Sequence, residues 1–216
     1  GYSWQRDRYS NYWMQNYNFP SDDYTHNNMG SGQALKDGKA SESSEANESR
    51  LIGYFGRLNY SYKGKYMFAA SIRHEGSTKF GADHKWGNFP SASVAWNIKD
   101  EDFLTDTKAL SILKLRAGYG ITGTVPSNPY MSLNTLNFGT YVYYGGEWIK
   151  TIRPDSNANP DLRWEKKKEV NIGIDFGFFD DVITGNIDYY NRKTEDLLWN
   201  YTVPSPPYLF STMVAN

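Results

Sequence analysis

Few residues in this chain have the types and spacing that chemistry needs. The three histidines, His26, His74 and His84, are scattered, and no Gly-x-Ser-x-Gly, phosphate-binding glycine loop or His-Glu-x-x-His run occurs. His74 falls on an apolar face near a strand end, a boundary position rather than a catalytic one. Asp155-x-Asn157-x-Asn159 mimics the opening of a calcium loop. Pro160 stands where that loop needs Gly, however, and Lys166 where it needs a bidentate Glu, which excludes an EF-hand. A looser cation site in the outer loops stays open. No catalytic residue, metal ligand or cofactor is expected, and the chain is not read as an enzyme.

Two other sets of side chains point to binding rather than reaction. Arg57, Arg73, Glu75, Arg116, Asp175 and Asp188, with Glu169 and Arg192, fall on the polar faces of alternating segments. If those faces line the inside of a barrel, the charges either line a solute path or pair with one another and with a plug. Trp13, Tyr17, Tyr143, Tyr144 and Trp148, with Trp4 and Tyr141, lie in or beside long loops. Aromatic faces stack on sugar rings and lose little rotamer freedom on binding, so these residues read equally as ligand contacts or as contacts to a capping protein or to other loops. Lys166-Lys167-Lys168 cannot all face one way on a strand and reads as a charged wall near the outer rim.

The elements that position these residues alternate with period 2. From Leu51, Ile52, Tyr54, Leu58, Tyr60 and Tyr62 share one face, and Phe55, Arg57, Asn59 and Ser61 the other. After Lys63-Gly64-Lys65 the pattern resumes with Tyr66, Phe68, Ala70 and Ile72 against Met67, Ala69, Ser71 and Arg73. Each arm has about 11 residues, the length of a tilted strand crossing a bilayer and twice that of a common soluble strand. Further strands are expected over about 1–16, 89–98 and 111–121, and in a last hairpin from Glu169 to Tyr190 that turns at Asp180-Asp181. A short helix is expected at Asp100–Asp106 with Asp100 at its N-terminal end, and a small hairpin over 141–148. Connectors alternate between long (17–49, 77–88, 122–161, 194 onward) and short (63–65, 99–109, 180–181). A secreted or surface β-sandwich that binds glycans also alternates its faces, but has no reason to gather every long loop at one end. The expected fold is therefore all-β: a section of an antiparallel transmembrane β-barrel with long extracellular loops and short periplasmic turns. Tyr62 and Tyr66, and Phe178 and Phe179, suit an aromatic girdle at the short-turn side.

Composition agrees. The 216 residues include 18 Tyr, 11 Phe and 7 Trp, and 19 Gly and 9 Pro favour turns over long helices. Net charge is −1 with no Cys, which argues against nucleic acid as a partner and excludes disulfides and thiolate zinc sites. A mean hydropathy of −0.70 suits a barrel whose strands are half wet. No signal peptide opens the chain, and neither end reads as a natural terminus, so a piece of a larger protein is expected.

Several runs go beyond pattern. Gly56–Tyr62 with Tyr66–Arg73, Glu75–Gly81 followed by Trp86–Ser91, Leu113–Gly120, Asn159–Glu165, and Asn171–Phe179 with Asp188–Tyr190 occur in the order of a known family. Over about 51–198 the chain resembles the SusC/RagA-like TonB-dependent transporters of Bacteroidetes, and 1–50 looks like that family's preceding strand and outer loop. The resemblance implies a plugged barrel of about 22 strands in the outer membrane. It also implies import of a nutrient, an oligosaccharide or a peptide, energised through the TonB complex. A SusD-like surface lipoprotein would be the capping partner and outer-membrane lipid the surroundings. No run resembles the plug or the TonB-contacting segment. The whole of 1–216 is therefore expected to be part of one barrel domain, with too few strands to close and unable to transport alone.

Overall fold

The computed structural model describes residues 1–216, apart from the side chains of Tyr24 and Thr25. Eleven strands run β1 (Tyr2–Gln15), β2 (Ser41–Tyr62), β3 (Tyr66–Ser77), β4 (Trp86–Asn97), β5 (Leu110–Thr124), β6 (Leu136–Tyr144), β7 (Glu147–Pro154), β8 (Glu165–Phe178), β9 (Ile183–Glu195), β10 (Trp199–Thr202) and β11 (Thr212–Ala215). Seven form one sheet in the order β1-β2-β3-β4-β5-β8-β9; β6-β7 and β10-β11 are separate two-stranded ribbons. Among the described residues no helix is long and apolar enough to cross a membrane.

The chain divides into two compact units, residues 1–5 with 50–216, and Arg6–Ser49. In the smaller, the expected loop over 17–49 is corrected at its end: β2 starts at Ser41, because serines and glutamates suffice for a strand once a neighbour accepts its hydrogen bonds. The loop proper is mostly 3-10 turns, Asp22–Ser31 and Gln33–Leu35, with Ser21 capping the Asp23 amide. The Asn16 side-chain amide donates to the Met29 and Gly32 carbonyls at 2.7 and 3.1 Å and ties the two ends together.

In the larger unit the ladders match apolar face to apolar face. Tyr60 pairs with Phe68, Phe68 with Val94, Val94 with Ala117, Ala117 with Ile172 and Ile172 with Tyr189. The adjacent row is Tyr62, Tyr66, Trp96, Leu115, Ile174 and Ile187. A sandwich would bury this face against a second sheet, yet Leu58, Ile72 and Ile187 are 61, 52 and 65 % exposed. The sandwich alternative is set aside on that ground.

Aromatic contacts frame the band at both ends. Tyr62, Tyr66 and Trp96 stack in series at 6.4 and 6.3 Å near the short turns. Tyr2, Tyr54, Trp86 and His74 form a second series, with centroids 5.3, 6.3 and 4.6 Å apart. His74 Nδ1 donates to the Asn88 carboxamide oxygen at 2.7 Å, and its ring lies flat on Trp86. Tyr66 and His74 are eight residues apart. At roughly 3.4 Å per residue and a tilt near 40°, that is about 20 Å of height, close to the ~25 Å apolar band of an outer-membrane barrel.

The short turns are built for tightness. Lys63 and Gly64 both have positive φ (52° and 69°), so the β2–β3 connection twists with its strands. The β8–β9 connection uses three successive left-handed residues, Phe179, Asp180 and Asp181, and carboxamide-sized acids tolerate that region better than most side chains. After β4, the expected helix is two 3-10 turns, Ile98–Asp100 and Asp102–Leu104. Asp100 does not cap it; Glu101 is drawn elsewhere. Its carboxylate accepts from the Tyr66 hydroxyl, from Trp96 Nε1 at 2.9 Å and from Lys65 Nζ at 3.2 Å, while Asn97 Nδ2 donates to the Gly64 carbonyl at 2.8 Å. The short turns thus brace one another.

At the long-loop end lies a small core of Phe80, Phe89, Leu162 and Trp164, each at most 6 % exposed. Trp164 sits 4.7 Å from Phe80 and 5.0 Å from Phe89, and its indole N–H donates to the Lys85 carbonyl at 2.9 Å. Gly81 has no room for a side chain: a Cβ there would strike the Pro160 carbonyl. The expected small hairpin is longer than 141–148, and part of the region after 194 forms β10 and β11.

Two outcomes follow. Trp164→Ala should cost roughly 3–5 kcal/mol of packing at the loop end; limited proteolysis of the detergent-solubilised protein should then cleave within 78–85 and 125–163 well before the strands. Hydrogen bonds from Tyr66 and Trp96, and then Lys65, hold the Glu101 carboxyl below its ordinary value of 4.5. Its contribution is therefore complete above 4.5 and lost as pH falls through the lower folded value. Thermal unfolding below about pH 4.5 should show wild type converging on Glu101→Gln, with the gap between them widest near neutrality.

Candidate functional site

The opposite face of the sheet carries all six charged residues singled out above. The ladders set Arg57 beside Ser71, Arg73 between Phe55 and Phe89, Glu75 between Gly53 and Gly87, and Arg116 beside Gly173, whose other neighbour is Asp188. Asp175 is paired with Lys114 and Asn186.

Most of these charges pair within the wall. The Arg116 guanidinium donates to both Asp175 oxygens, at 2.7 to 3.2 Å, and to Asp188 Oδ1 at 3.1 Å. Asn186 Nδ2 donates to the other Asp188 oxygen at 2.7 Å. One arginine thus laces β5, β8 and β9 together, and Gly173 makes this possible: a Cβ there would overlap Asp188 and Arg116. Arg73 pairs with Glu75 and lies 5.7 Å above the Phe55 ring. Arg192 Nε donates to Glu169 at 2.7 Å. Arg57 Nε reaches the Asn59 carboxamide oxygen at 3.2 Å.

Between Arg57 and the Glu169–Arg192 pair the face is made of small groups. Two rows cross it, Ser71–Ser91–Gly120 and Ala69–Ser93–Gly118–Asn171. The result is an open trough of about 660 Å³ lined by hydroxyls, exposed backbone and one carboxamide, with cationic groups at both sides. Such a surface hydrogen-bonds hydroxyls and amides without fixing their orientation and lets a solute or another chain approach the backbone closely. Sequence reasoning missed these residues. Their signal is a small residue at every second position on three strands, visible as one feature only after the register is known.

The aromatic set divides. Trp13 ends on β1 and Tyr17 follows it, both in the Arg6–Ser49 unit and about half exposed. Tyr143 and Trp148 pair across β6–β7 with ring centroids 5.4 Å apart. Phe138 and Tyr141 share their face, under the Lys150 ammonium, and Tyr144 takes the reverse face of the ribbon. The calcium-like asparagines are structural. Asn157 Nδ2 donates to the Phe210 and Thr212 carbonyls at 2.7 and 2.9 Å, and Asn159 Nδ2 to Val214 at 3.0 Å. Among the described residues no group of acids and histidines is placed to hold a metal ion.

A single antiparallel layer with a framed apolar band on one face and paired charges on the other is a wall of a membrane β-barrel. The comparisons agree. Residues 1–212 match the family model for the β-barrel of TonB-dependent receptor-like proteins. The TonB-dependent receptor SusC of Bacteroides thetaiotaomicron is 44 % identical over 164 residues, covering 74 % of this chain and 16 % of that protein. TonB-dependent receptor P3 of Formosa agariphila is 33 % identical over 94 % of this chain and 20 % of its own length. A solved structure of the RagAB peptide transporter superposes over 99 % of this chain and 23 % of that one, with a TM-score of 0.84 at 22 % identity. The chain belongs to the TonB-dependent receptor-like β-barrel family, a family of outer-membrane proteins, and spans about a fifth of the length of these relatives.

Gly173→Val should split the Arg116 network by steric overlap. In the full-length receptor this should lower the temperature at which the heat-modifiable band converts in gels. Gly118→Ala, whose Cβ meets nothing nearer than 3.7 Å, should leave it unchanged.

Proposed function

We propose that this chain is one section of the barrel wall of a TonB-dependent importer, with the plug and the remaining strands elsewhere in the same receptor. The open edges of β1 and β9 would pair with those strands, since hydrocarbon offers no other partner for their amides and carbonyls. The cargo is a nutrient too large for porins, an oligosaccharide or a peptide. Both a SusC and a peptide transporter stand among the similar proteins. A SusD-like lipoprotein covers the mouth, and TonB acts through segments outside this chain. Arg57, Arg73, Glu75, Arg116, Asp175 and Asp188 face the lumen, where Arg57 and the small-residue trough offer the solute its polar surface. Trp13, Tyr17, Tyr143, Tyr144 and Trp148 serve the extracellular mouth.

The observation that carries this reading is the trough. It is open and lined by small side chains, hydroxyls and backbone on the face opposite the apolar band, while Arg192 and Lys167 at its side are already paired with Glu169 and Glu165.

The test is genetic. A strain whose full-length receptor gene is deleted should lose growth on one class of oligosaccharide or peptide, and the wild-type gene should restore it. A Ser71→Trp/Ser91→Trp receptor that still reaches the outer membrane should restore it poorly, with uptake down about tenfold or more if the trough is on the solute path. Normal growth of the deletion strain on every oligosaccharide and peptide tested would overturn the import reading. Full uptake by the double variant would remove the trough from the path.

A further inference from the structure

The outward face of the wall changes character at its extracellular rim. On β8 the outward residues run Phe178, Phe176, Ile174, Ile172 and Val170, and then Lys168 and Lys166. On the paired β9 they run Ile183, Gly185, Ile187, Tyr189 and Asn191, and then Lys193 and Glu195. The switch falls at the same rung of the ladder, because Val170 pairs with Asn191, Lys168 with Lys193 and Lys166 with Glu195. Lys167, by contrast, takes the inner face beside Glu165. The three consecutive lysines are thus split two and one, and the outward pair gains a third lysine from the next strand.

Height places the cluster. The periplasmic boundary of these strands is marked by Phe176, Phe178 and Phe179, with ring centroids 5.9 and 6.4 Å apart. Val170 is eight residues from Phe178, the same interval that separates Tyr66 from His74 between the two aromatic series on β3. Lys168 is two residues further, about 5 Å higher for a tilted strand, which puts its ammonium level with lipid headgroups rather than acyl chains. Lysine stems can lie along the apolar band while their charges reach that level.

The charges do not cancel. Glu195 accepts from Lys168 Nζ at 2.6 Å and from Lys193 Nζ at 3.1 Å and gathers the two ammonium groups at one point. The adjacent Asp196 is held by Arg163 at 2.9 Å. Three lysines against Glu195 leave two positive charges in excess on a surface that continues the lipid-facing band. An ammonium pair over hydrocarbon matches an amphiphile with an anionic phosphate on its headgroup.

We propose that Lys166, Lys168 and Lys193 form a binding site for the phosphorylated headgroup of an outer-leaflet glycolipid of the lipid A class, whose acyl chains lie along Val170, Ile172 and Tyr189. The site rests on the reading of the sheet as an outer-membrane wall.

The test uses the full-length receptor purified in a neutral detergent. Native mass spectrometry follows binding of lipid A, of enzymatically dephosphorylated lipid A, and of inorganic phosphate alone. Wild type should retain lipid A at least about tenfold better than the dephosphorylated lipid, and the preference should fade as salt is raised to about 0.5 M. The Lys166→Gln/Lys168→Gln/Lys193→Gln variant should lose the preference, whereas Lys63→Gln, at the periplasmic turn, should keep it. Equal retention of the two lipids by wild type, or an unchanged preference in the triple variant, would overturn the proposal. So would binding of inorganic phosphate as tight as that of lipid A. Should the triple variant fail to insert, Lys193→Gln alone decides: its side chain is 73 % exposed, and it should lose at least about threefold in lipid A retention. Fractionation separates the two readings: a receptor outside the outer membrane sinks the wall itself, whereas one in the membrane without phosphate preference sinks only this site.

Discussion

A backbone crossing hydrocarbon can send its N–H and C=O groups only to a neighbouring strand. Everything else in this structure depends on that constraint. It forces unbroken ladders from β2 to β9, and unbroken ladders fix register. Register in turn decides whether apolar residues spaced two apart on separate strands form one face or a scatter. Here Tyr60, Phe68, Val94, Ala117, Ile172 and Tyr189 fall in one row. A slip of one residue on β2, β3, β5, β8 or β9 would put an arginine or aspartate into lipid.

The inner face meets a different demand. Most charges there are satisfied by one another. Arg116 serves two aspartates on two strands because its cross-strand neighbour is Gly173. The same economy of volume recurs in Ser71, Ser91, Gly118 and Gly120, where small side chains leave the backbone open on that face. The braces at the two ends work differently. At the periplasmic side a half-buried carboxylate, Glu101, collects donors from β3, β4 and the first short turn. At the extracellular side a hydrophobic knot around Trp164 joins two loops.

The strands were legible because both faces of each announce themselves in consecutive residues, as from Leu51 to Ile72. The polar residues of the inner face were legible for the same reason. The trough was not, since no strand contains it: Ser91 and Gly120 become one surface only through a ladder whose partners lie 29 residues apart in sequence. The early start of β2 at Ser41 escaped because its residues are polar on both faces, and only pairing makes them a strand. Asp100 looked like a cap because an acid before a short turn usually is one; the stronger pull of three donors took Glu101 instead and left Asp100 inside a 3-10 turn. Period 2 already keeps the lysines at 166 to 168 from facing one way, but which two face outward is set by the register with β9.

The connection between β5 and β8 holds some forty residues, including the β6–β7 ribbon, and yet the two strands pair over their full length. The entropy of closing such a loop grows only with the logarithm of its length, so a twofold change in length alters the closure cost by about 0.6 kcal/mol. The insertion is therefore nearly free to be lengthened, trimmed or exchanged, provided that Leu162 and Trp164 still reach Phe80. In evolutionary terms the wall is a fixed frame and the mouth a replaceable part. A lineage can rewrite that loop without having to solve the problem of crossing the membrane again.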